Sequence, residues 1–314
     1  MLNSFNIVCL YLYLILIIFK IKYLCNLSNK LVTMAKLDDS TMPFSFPKST
    51  AAIDDNLFVV CDTGNNRVVG FNSGGVQTFT FNNSNVHNES NHLFCPISTC
   101  VLANVYAAIA DYENSTISIL SQHGTKERVY MCHDQPICIS SDFSNILYVL
   151  TRSQTIESYS IIGKRIRTLQ LIKNLGRFYT LMAVHSKMNE IYLSESNSNQ
   201  IFIINKNGSP LRNMKLNIPE SGLNVFISSI YFTREKIIVS DSVNRCVLLF
   251  DSATGNFEKI LLNGKNGIGC IQFAVLSPRN EIIITEFSLN QPHSVKIFSC
   301  NVSLDSEEFC NVVK

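Results

Sequence analysis

The sequence has few charged residues, no tryptophan and none of the short motifs that mark common hydrolases. Only 16% of its 314 residues are charged, while 46% are hydrophobic, and this balance argues against a disordered chain. Neither G-x-S-x-G nor H-E-x-x-H occurs, so no serine-hydrolase or zinc-protease motif is present. The net charge of +2 does not by itself predict nucleic-acid binding.

The eleven cysteines also lack a pattern. No two of them form a C-x-x-C pair, and Cys61, Cys138 and Cys246 fall within or beside apolar runs, where a thiol behaves as a small hydrophobe. An odd, unpatterned set in a chain of this length favours reduced thiols over a disulfide framework. We therefore expect a cytoplasmic protein.

Helical periodicity is missing as well, and a repeat of strands takes its place. Six segments share one pattern, in which an apolar run, a polar turn of about four residues and a second apolar run follow each other. The six turns begin at Asp62, Asp111, Thr151, Glu195, Asp241 and Glu286. No helical stripe lies between the strand pairs, which excludes an alternating β-α fold. A spacing of 40 to 49 residues between these turns is typical of a β-propeller.

Each repeat is long enough for four antiparallel strands, A to D. Glycine turns such as Asn207-Gly208 and Thr254-Gly255 precede the expected fourth strands, because tight hairpins need a positive φ. We predict an all-β fold, a six-bladed β-propeller of four-stranded antiparallel blades over residues 44–314. Either Glu308–Val313 or Lys30–Ala35 could supply its last outer strand.

The first 25 residues are predicted to be a hydrophobic helix and a possible membrane anchor, followed by a linker over 26–43. Ile7–Phe19 is apolar throughout, and Lys20 and Lys22 follow it. If this segment spans a bilayer, the positive-inside rule places the propeller in the cytosol. The alternative is that translation begins at Met34, which would make the preceding residues non-native.

Two of the turns carry a recognisable motif. DTGNNRVVGF contains Asp62, Asn65 and Arg67, and DSVNRCVLLF contains Asp241 and Asn244 with cysteine at the arginine position. These segments resemble the NHL repeat, which implies a six-bladed propeller like those at the C-terminus of many tripartite-motif proteins. There the propeller is the part of a ubiquitin ligase that binds target RNA or protein. This chain has no cysteine or histidine clusters for a zinc-binding ring or B-box, so any ligase role requires another chain.

The motif residues are predicted to be structural. We expect Asp62, Asp111 and Asp241, with Asn65 and Asn244, to hold their own turns through hydrogen bonds. Arg67 and Arg245 could either bridge neighbouring blades or contact a ligand.

The predicted function is a non-catalytic, monomeric binding platform without cofactor, whose B–C and D–A loops present one face to protein or single-stranded RNA. The run 164–179 holds five basic residues and no acid, and ends in Phe178 and Tyr179; such mixtures of cations and aromatic rings bind single strands. The candidate partner-binding residues are Lys48, Arg67, Lys173, Arg177, Phe178, Tyr179, Arg245 and Lys265.

A metal-dependent hydrolase or lyase is the alternative. The recurring carboxylates could converge on the propeller axis and bind Ca²⁺ or Zn²⁺. The candidate ligands for such a site are Asp62, Asp111, Glu195, Asp241 and Glu286.

Overall fold

The structure is a computed structural model that describes residues 42–82, 93–171, 178–218, 224–233, 235–288 and 293–299. These residues form 23 β-strands and no α-helix; short 3-10 turns occur at Thr63–Asn65 and Gly264–Asn266. The strands form six separate antiparallel sheets, in each of which hydrogen-bonded neighbours follow chain order. The predicted all-β, six-bladed propeller is therefore confirmed.

The first three blades are four-stranded. Blade 1 consists of β1 (Pro47–Ala52), β2 (Leu57–Asp62), β3 (Arg67–Asn72) and β4 (Gln77–Phe81). Blade 2 consists of β5 (Pro96–Leu102), β6 (Tyr106–Asp111), β7 (Thr116–Ser121) and β8 (Lys126–Met131). Blade 3 consists of β9 (Pro136–Ser141), β10 (Leu147–Thr151), β11 (Thr155–Tyr159) and β12 (Arg165–Gln170).

The last three blades repeat the arrangement. Blade 4 consists of β13 (Leu181–His185), β14 (Glu190–Ser194), β15 (Gln200–Asn205) and β16 (Pro210–Lys215). Blade 5 consists of β17 (Ile227–Phe232), β18 (Lys236–Asp241), β19 (Cys246–Asp251) and β20 (Phe257–Leu262). Blade 6 has three strands within the described residues, β21 (Cys270–Leu276), β22 (Glu281–Phe287) and β23 (Ser294–Ser299).

Several predictions concern residues that the structure does not describe. Both candidates for the last outer strand, Glu308–Val313 and Lys30–Ala35, lie outside the described ranges, as do the hydrophobic segment 1–25 and residues 26–41 of the linker. Within the described ranges, no helix has the length and apolar character needed to cross a bilayer.

The second strand of each blade is buried on both faces. Leu57, Val59 and Cys61 of β2 pack in a core shared with blade 2, whereas Phe58 and Val60 pack in a core shared with blade 6. Side chains alternate between the two faces of a strand, so a strand between two neighbouring blades must be apolar at every position. This is why these strands have continuous apolar sequences.

Apolar cores occupy all six junctions between blades, including the junction of blades 6 and 1. At that last junction Val275 and Ile283 pack with Val60 and Phe71. The innermost strands β1, β5, β9, β13, β17 and β21 contact one another in a closed cycle. The described strands therefore close the ring through side-chain packing.

Serines connect the innermost strands. Ser49 accepts a hydrogen bond from the Thr99 amide of blade 2, and Ser98 accepts one from the Ile139 amide of blade 3, both at 3.1 Å. Ser140 and Ser229 accept equivalent bonds from Val184 and Ala274 at 3.1 Å. The innermost strand of each blade is an edge strand, and unpaired amides there would be costly when buried. The serine hydroxyls satisfy them from the preceding blade.

The strands define two ends of the disc. We call the end formed by the B–C turns and the D–A connections the motif face, because it carries the NHL-like turns. The opposite face is formed by the A–B loops and the C–D turns.

Candidate partner-binding face

The turn of blade 1 clamps the segment that enters the first strand. Asp62 is fully buried and accepts hydrogen bonds from the Ser45 amide at 2.7 Å, from Asn65 Nδ2 at 2.8 Å and from Arg67 Nε at 2.6 Å. Asn65 also donates to the Pro43 carbonyl at 2.8 Å, and Arg67 Nη2 donates to the Met42 carbonyl at 2.7 Å. A buried carboxylate with an ionic partner and two further donors is well compensated.

The rest of this clamp explains the glycine of the turn. The Gly64 amide donates to the Ser45 carbonyl at 2.8 Å. A Cβ atom on Gly64 would lie 2.4 Å from Ser45 Oγ, so only glycine permits this close approach. The turn and the entering segment are thus joined on both sides of Ser45.

Blades 2 and 5 use the same aspartate differently. Asp111 accepts from the Phe94 and Cys95 amides at 3.1 Å and from Asn114 Nδ2 at 2.7 Å. Asp241 accepts from the Phe226 amide at 3.0 Å and, within its own turn, from the Asn244 amide and Nδ2, both at 2.8 Å. In these blades the aspartate joins its turn to the entering segment without an arginine.

The remaining blades replace the aspartate. Thr151 and Ser194 occupy the same position in the strand register and hydrogen-bond within their turns. Glu286 occupies it in blade 6, where it accepts from the Gly269 amide at 2.7 Å and pairs with Lys296. The assignment of Glu195 to this position was wrong by one residue, because the loop that follows β14 is longer than the turn of blade 1.

The clamp of blade 1 holds Phe46 in an uncommon conformation. Phe46 has a φ of +50° and is 55% exposed. A bulky residue with a positive φ is a conformational outlier, and such strain persists only where the surrounding structure fixes it. The hydrogen bonds to Ser45 supply that constraint one residue away.

Phe46 belongs to an aromatic cluster at the junction of blades 1 and 6. Its ring stacks on Phe287 with the centroids 5.3 Å apart, and lies 4.7 Å from the ring of His293. Phe287 and His293 contact each other edge to face at 4.9 Å. We call Phe46, Phe287 and His293 the aromatic cluster; all three are exposed or half-buried at the motif face.

Exposed basic side chains lie in blades 1 and 5 and in the connection between blades 5 and 6. Lys48, Arg245 and Lys265 are exposed, and within the described residues the structure shows no carboxylate paired with any of them. The described loops of blades 5, 6 and 1 on the motif face (42–46, 63–66, 224–226, 242–245, 263–269, 287–288 and 293) contain no acidic residue. This sector is therefore positively charged as well as aromatic.

The turn of blade 1 lies in a segment that matches a known family. Residues 44–71 match the family model of the NHL repeat. The first blade of this six-bladed propeller thus carries a segment that matches the NHL repeat, and we refer to the domain as the NHL propeller. The matched residues include the whole clamp of Asp62, Asn65 and Arg67 together with Phe46. The comparison with curated proteins gives no significant match, so the relationship to tripartite-motif proteins stays a prediction.

Two of the predicted partner-binding residues have structural roles in the NHL propeller. Arg67 is largely buried and donates to Asp62 and the Met42 carbonyl, with its guanidinium 5.9 Å from the centre of the Phe44 ring. Its guanidinium thus joins Asp62 to the segment that enters blade 1. Tyr179 is 2% exposed and packs edge to face on Phe202 at 5.4 Å, so the prediction that its ring stacks on a partner was wrong.

The structure describes some of the other predicted partner-binding residues but not all of them. Phe178 is 51% exposed, which is compatible with partner contact. Lys173 and Arg177 lie outside the described residues. Lys48 is exposed on β1, and Arg245 and Lys265 are exposed on loops of the motif face; their contact with a partner stays a prediction. The aromatic cluster was missed because Phe46 and the B–C turn of blade 6, which carries Phe287 and His293, are brought together only by the ring closure.

The carboxylates of the NHL propeller do not converge on one point. Among the described residues, no group of three histidine, cysteine, aspartate or glutamate side chains lies close enough to hold a metal ion. Asp62, Asp111, Asp241 and Glu286 each hydrogen-bond within their own blade. Burial raises the pKa of Cys95 and of Cys270, so these thiols of the same face stay protonated at neutral pH.

Proposed function

We propose that this NHL propeller is a binding platform whose motif face holds single-stranded RNA on the sector formed by blades 5, 6 and 1. The observation that carries the proposal is the exposed aromatic cluster, which lies among loops whose described residues include Arg245 and Lys265 and no acid. Propellers commonly serve as scaffolds that act through one loop face.

The chemistry of the sector matches an unpaired nucleic-acid strand. Aromatic rings stack on bases without regard to sequence, and basic side chains neutralise the phosphates between them. Phe46 offers an open ring, while Lys48 is exposed on β1, and Arg245 and Lys265 lie on loops of the motif face. Duplex RNA would not use this cluster, because its bases are already stacked.

The strain at Phe46 supports a functional role for the ring. An outward-facing phenylalanine in a left-handed conformation adds nothing to the hydrophobic core, and it costs about 1–3 kcal/mol. Among the described turns, the complete set of aspartate, asparagine and arginine occurs only in blade 1. There Asp62, Asn65 and Arg67 hold the segment that carries Phe46. The motif thus holds the ring in place before the partner arrives.

A protein partner is the competing candidate on the same face. Val243 and Met42 are 58% and 47% exposed, and apolar side chains on a loop face are typical of protein interfaces. A role in a ubiquitin-ligase pathway and a membrane tether stay predictions. Metal-dependent catalysis also stays a prediction. Among the described residues, no three potential ligands lie close enough to hold a metal ion.

Fluorescence anisotropy with a labelled oligouridine tests the proposal. Phe46→Ala should weaken binding about tenfold, because stacking contributes roughly 1–3 kcal/mol per base. Lys265→Glu should weaken it and lower the salt dependence by about one phosphate contact. Phe143→Ala serves as the matched control, since it removes an exposed aromatic ring from the A–B loop of blade 3 on the opposite face.

Three results would contradict RNA binding. The first is the absence of measurable binding by the unmodified chain, and the second is equal loss in Phe46→Ala and Phe143→Ala. The third is affinity that does not change between low and moderate salt, which would favour a protein partner instead.

A further inference from the structure

The opposite face of the disc carries the two most exposed large hydrophobic side chains of the described chain. Phe143, in the A–B loop of blade 3, is 78% exposed, and Ile162, in the C–D turn of the same blade, is 74% exposed. Val105 of blade 2 and Met188 of blade 4 are 45% and 41% exposed in the flanking A–B loops. These four residues, which we call the apolar tips, lie on loops at one end of three successive blades.

Hydrogen bonds between the loops hold the apolar tips in one arrangement. The Ala103 amide donates to Asn145 Oδ1 at 3.0 Å, which joins the A–B loops of blades 2 and 3. The Phe143 amide donates to Ser186 Oγ at 3.1 Å, which joins the A–B loops of blades 3 and 4. The tips are therefore carried by an ordered surface, and their exposure does not follow from a loose loop.

The loops around the apolar tips carry more basic than acidic side chains. The loops at this end of blades 2 to 4 (102–105, 122–125, 142–146, 160–164, 186–189 and 206–209) contain Lys164, Lys187 and Lys206. Their one acid is Asp142, which is buried and paired with Lys206 at 2.6 Å. Lys187 also contacts Glu235 of blade 5 at 3.2 Å, at the edge of the region. The surface near the tips is thus apolar and net positive.

We propose that the apolar tips of blades 2 to 4 dock the propeller on an anionic membrane surface. Exposed apolar patches of this kind mark interaction sites. Short apolar loop ends can enter the headgroup region while nearby lysines interact with anionic lipids, each contributing to the attraction. This docking is distinct from any tether through residues 1–25, and it leaves the motif face open to solvent.

The chain contains no tryptophan, so a single introduced tryptophan reports on one site. The test uses the full chain with Phe143→Trp, and Phe94→Trp on the motif face as the matched control. Phosphatidylcholine vesicles with about one-third phosphatidylserine supply the anionic surface. We expect a blue shift of emission and quenching by brominated lipid at position 143, and neither at position 94.

Charge reversal then tests the electrostatic part of the proposal. Adding Lys164→Glu and Lys187→Glu to Phe143→Trp should lower vesicle partitioning at least about tenfold, since each lysine near such a surface contributes about 1 kcal/mol. Pure phosphatidylcholine vesicles should bind much more weakly. Circular dichroism of each variant establishes that the fold is retained.

Four outcomes would overturn membrane docking. One is unchanged emission at position 143 with anionic vesicles, even if the chain attaches to them through residues 1–25. Another is equal quenching at positions 94 and 143. A third is equal binding to neutral vesicles. The last is blue-shifted emission at position 143 without vesicles, which would mean that another part of the chain or a second copy covers the tips.

Discussion

At the scale of single residues, the NHL motif of blade 1 is a clamp between a turn and the segment that enters the blade. Asp62 collects three donors, two of which, Asn65 and Arg67, also hold carbonyls of the entering segment. The sequence motif predicted a structural role for the aspartate and the asparagine. It could not show that Arg67 serves the same clamp, because the Met42 carbonyl that it binds carries no signal in the sequence.

The clamp predicts a large effect of Asp62→Ala on stability. The variant leaves Arg67 largely buried without a carboxylate, so the free energy of unfolding should fall by about 3–5 kcal/mol. Urea denaturation measures this. Asp55→Ala is the matched control, because Asp55 is exposed, and surface substitutions usually change stability by less than about 0.5 kcal/mol. Similar losses in both variants would contradict the clamp.

At the scale of elements, outer strands fit against glycine turns of the next blade. Phe79 of β4 lies against Gly124, and Tyr130 of β8 lies against Gly163. A Cβ atom on Gly163 would be 2.5 Å from Tyr130 Cδ1, and its φ is +81°. Leu169 with Gly208 and Met214 with Gly255 repeat this contact. These glycines therefore serve both the hairpin and the packing between blades.

This packing predicts different costs for three glycine substitutions. Gly163→Ala should lower the free energy of unfolding by about 2–4 kcal/mol, because backbone strain and the clash with Tyr130 add. Gly267 has a φ of +72°, and no atom lies near a Cβ placed on it. Gly267→Ala should therefore lower the free energy of unfolding by about 1 kcal/mol. Gly264→Ala has neither problem and should be nearly neutral. Thermal or urea unfolding of the three variants gives the order, and equal costs at Gly163 and Gly267 would refute the contact.

The elements were also the part that the sequence predicted best. Turns with glycine and continuous apolar runs predicted the antiparallel strands of the blades, because both signals arise from local backbone and burial requirements. Ser194 was missed because the loop that follows it is one residue longer than the turn of blade 1. The serines that join the inner strands were missed because a lone serine in a strand gives no sign of a partner in the next blade.

At the scale of the whole molecule, every blade shares a core with each of its two neighbours. A blade that unfolds exposes both of the apolar interfaces that it shares with its neighbours. For blade 1 these are the interfaces with blade 2 and with blade 6. The ring closure also assembles the aromatic cluster, since Phe46 belongs to blade 1 and Phe287 to blade 6. A site that depends on closure cannot be found by examining one repeat at a time, and this is why the sequence pointed to Tyr179 instead.

The shared cores predict that the ring unfolds as one unit. Cys61, Cys138 and Cys246 are buried in blades 1, 3 and 5, and burial raises the pKa of each thiol, that of Cys246 to about 12. The native thiols should therefore react slowly with alkylating reagents. Labelling at increasing urea, read by mass spectrometry, should give one midpoint for all three. Separate midpoints would mean that blades unfold independently.

The central claim is that the motif face binds an unpaired strand at the aromatic cluster, and photocrosslinking tests it most directly. The full chain would be irradiated with an oligonucleotide containing 4-thiouridine, and the linked peptides would be identified by mass spectrometry. We expect crosslinks within residues 42–48 and 287–293, and we expect these crosslinks to be lost in Phe46→Ala. Crosslinks confined to the opposite face or the outer strands, or none above background, would contradict it.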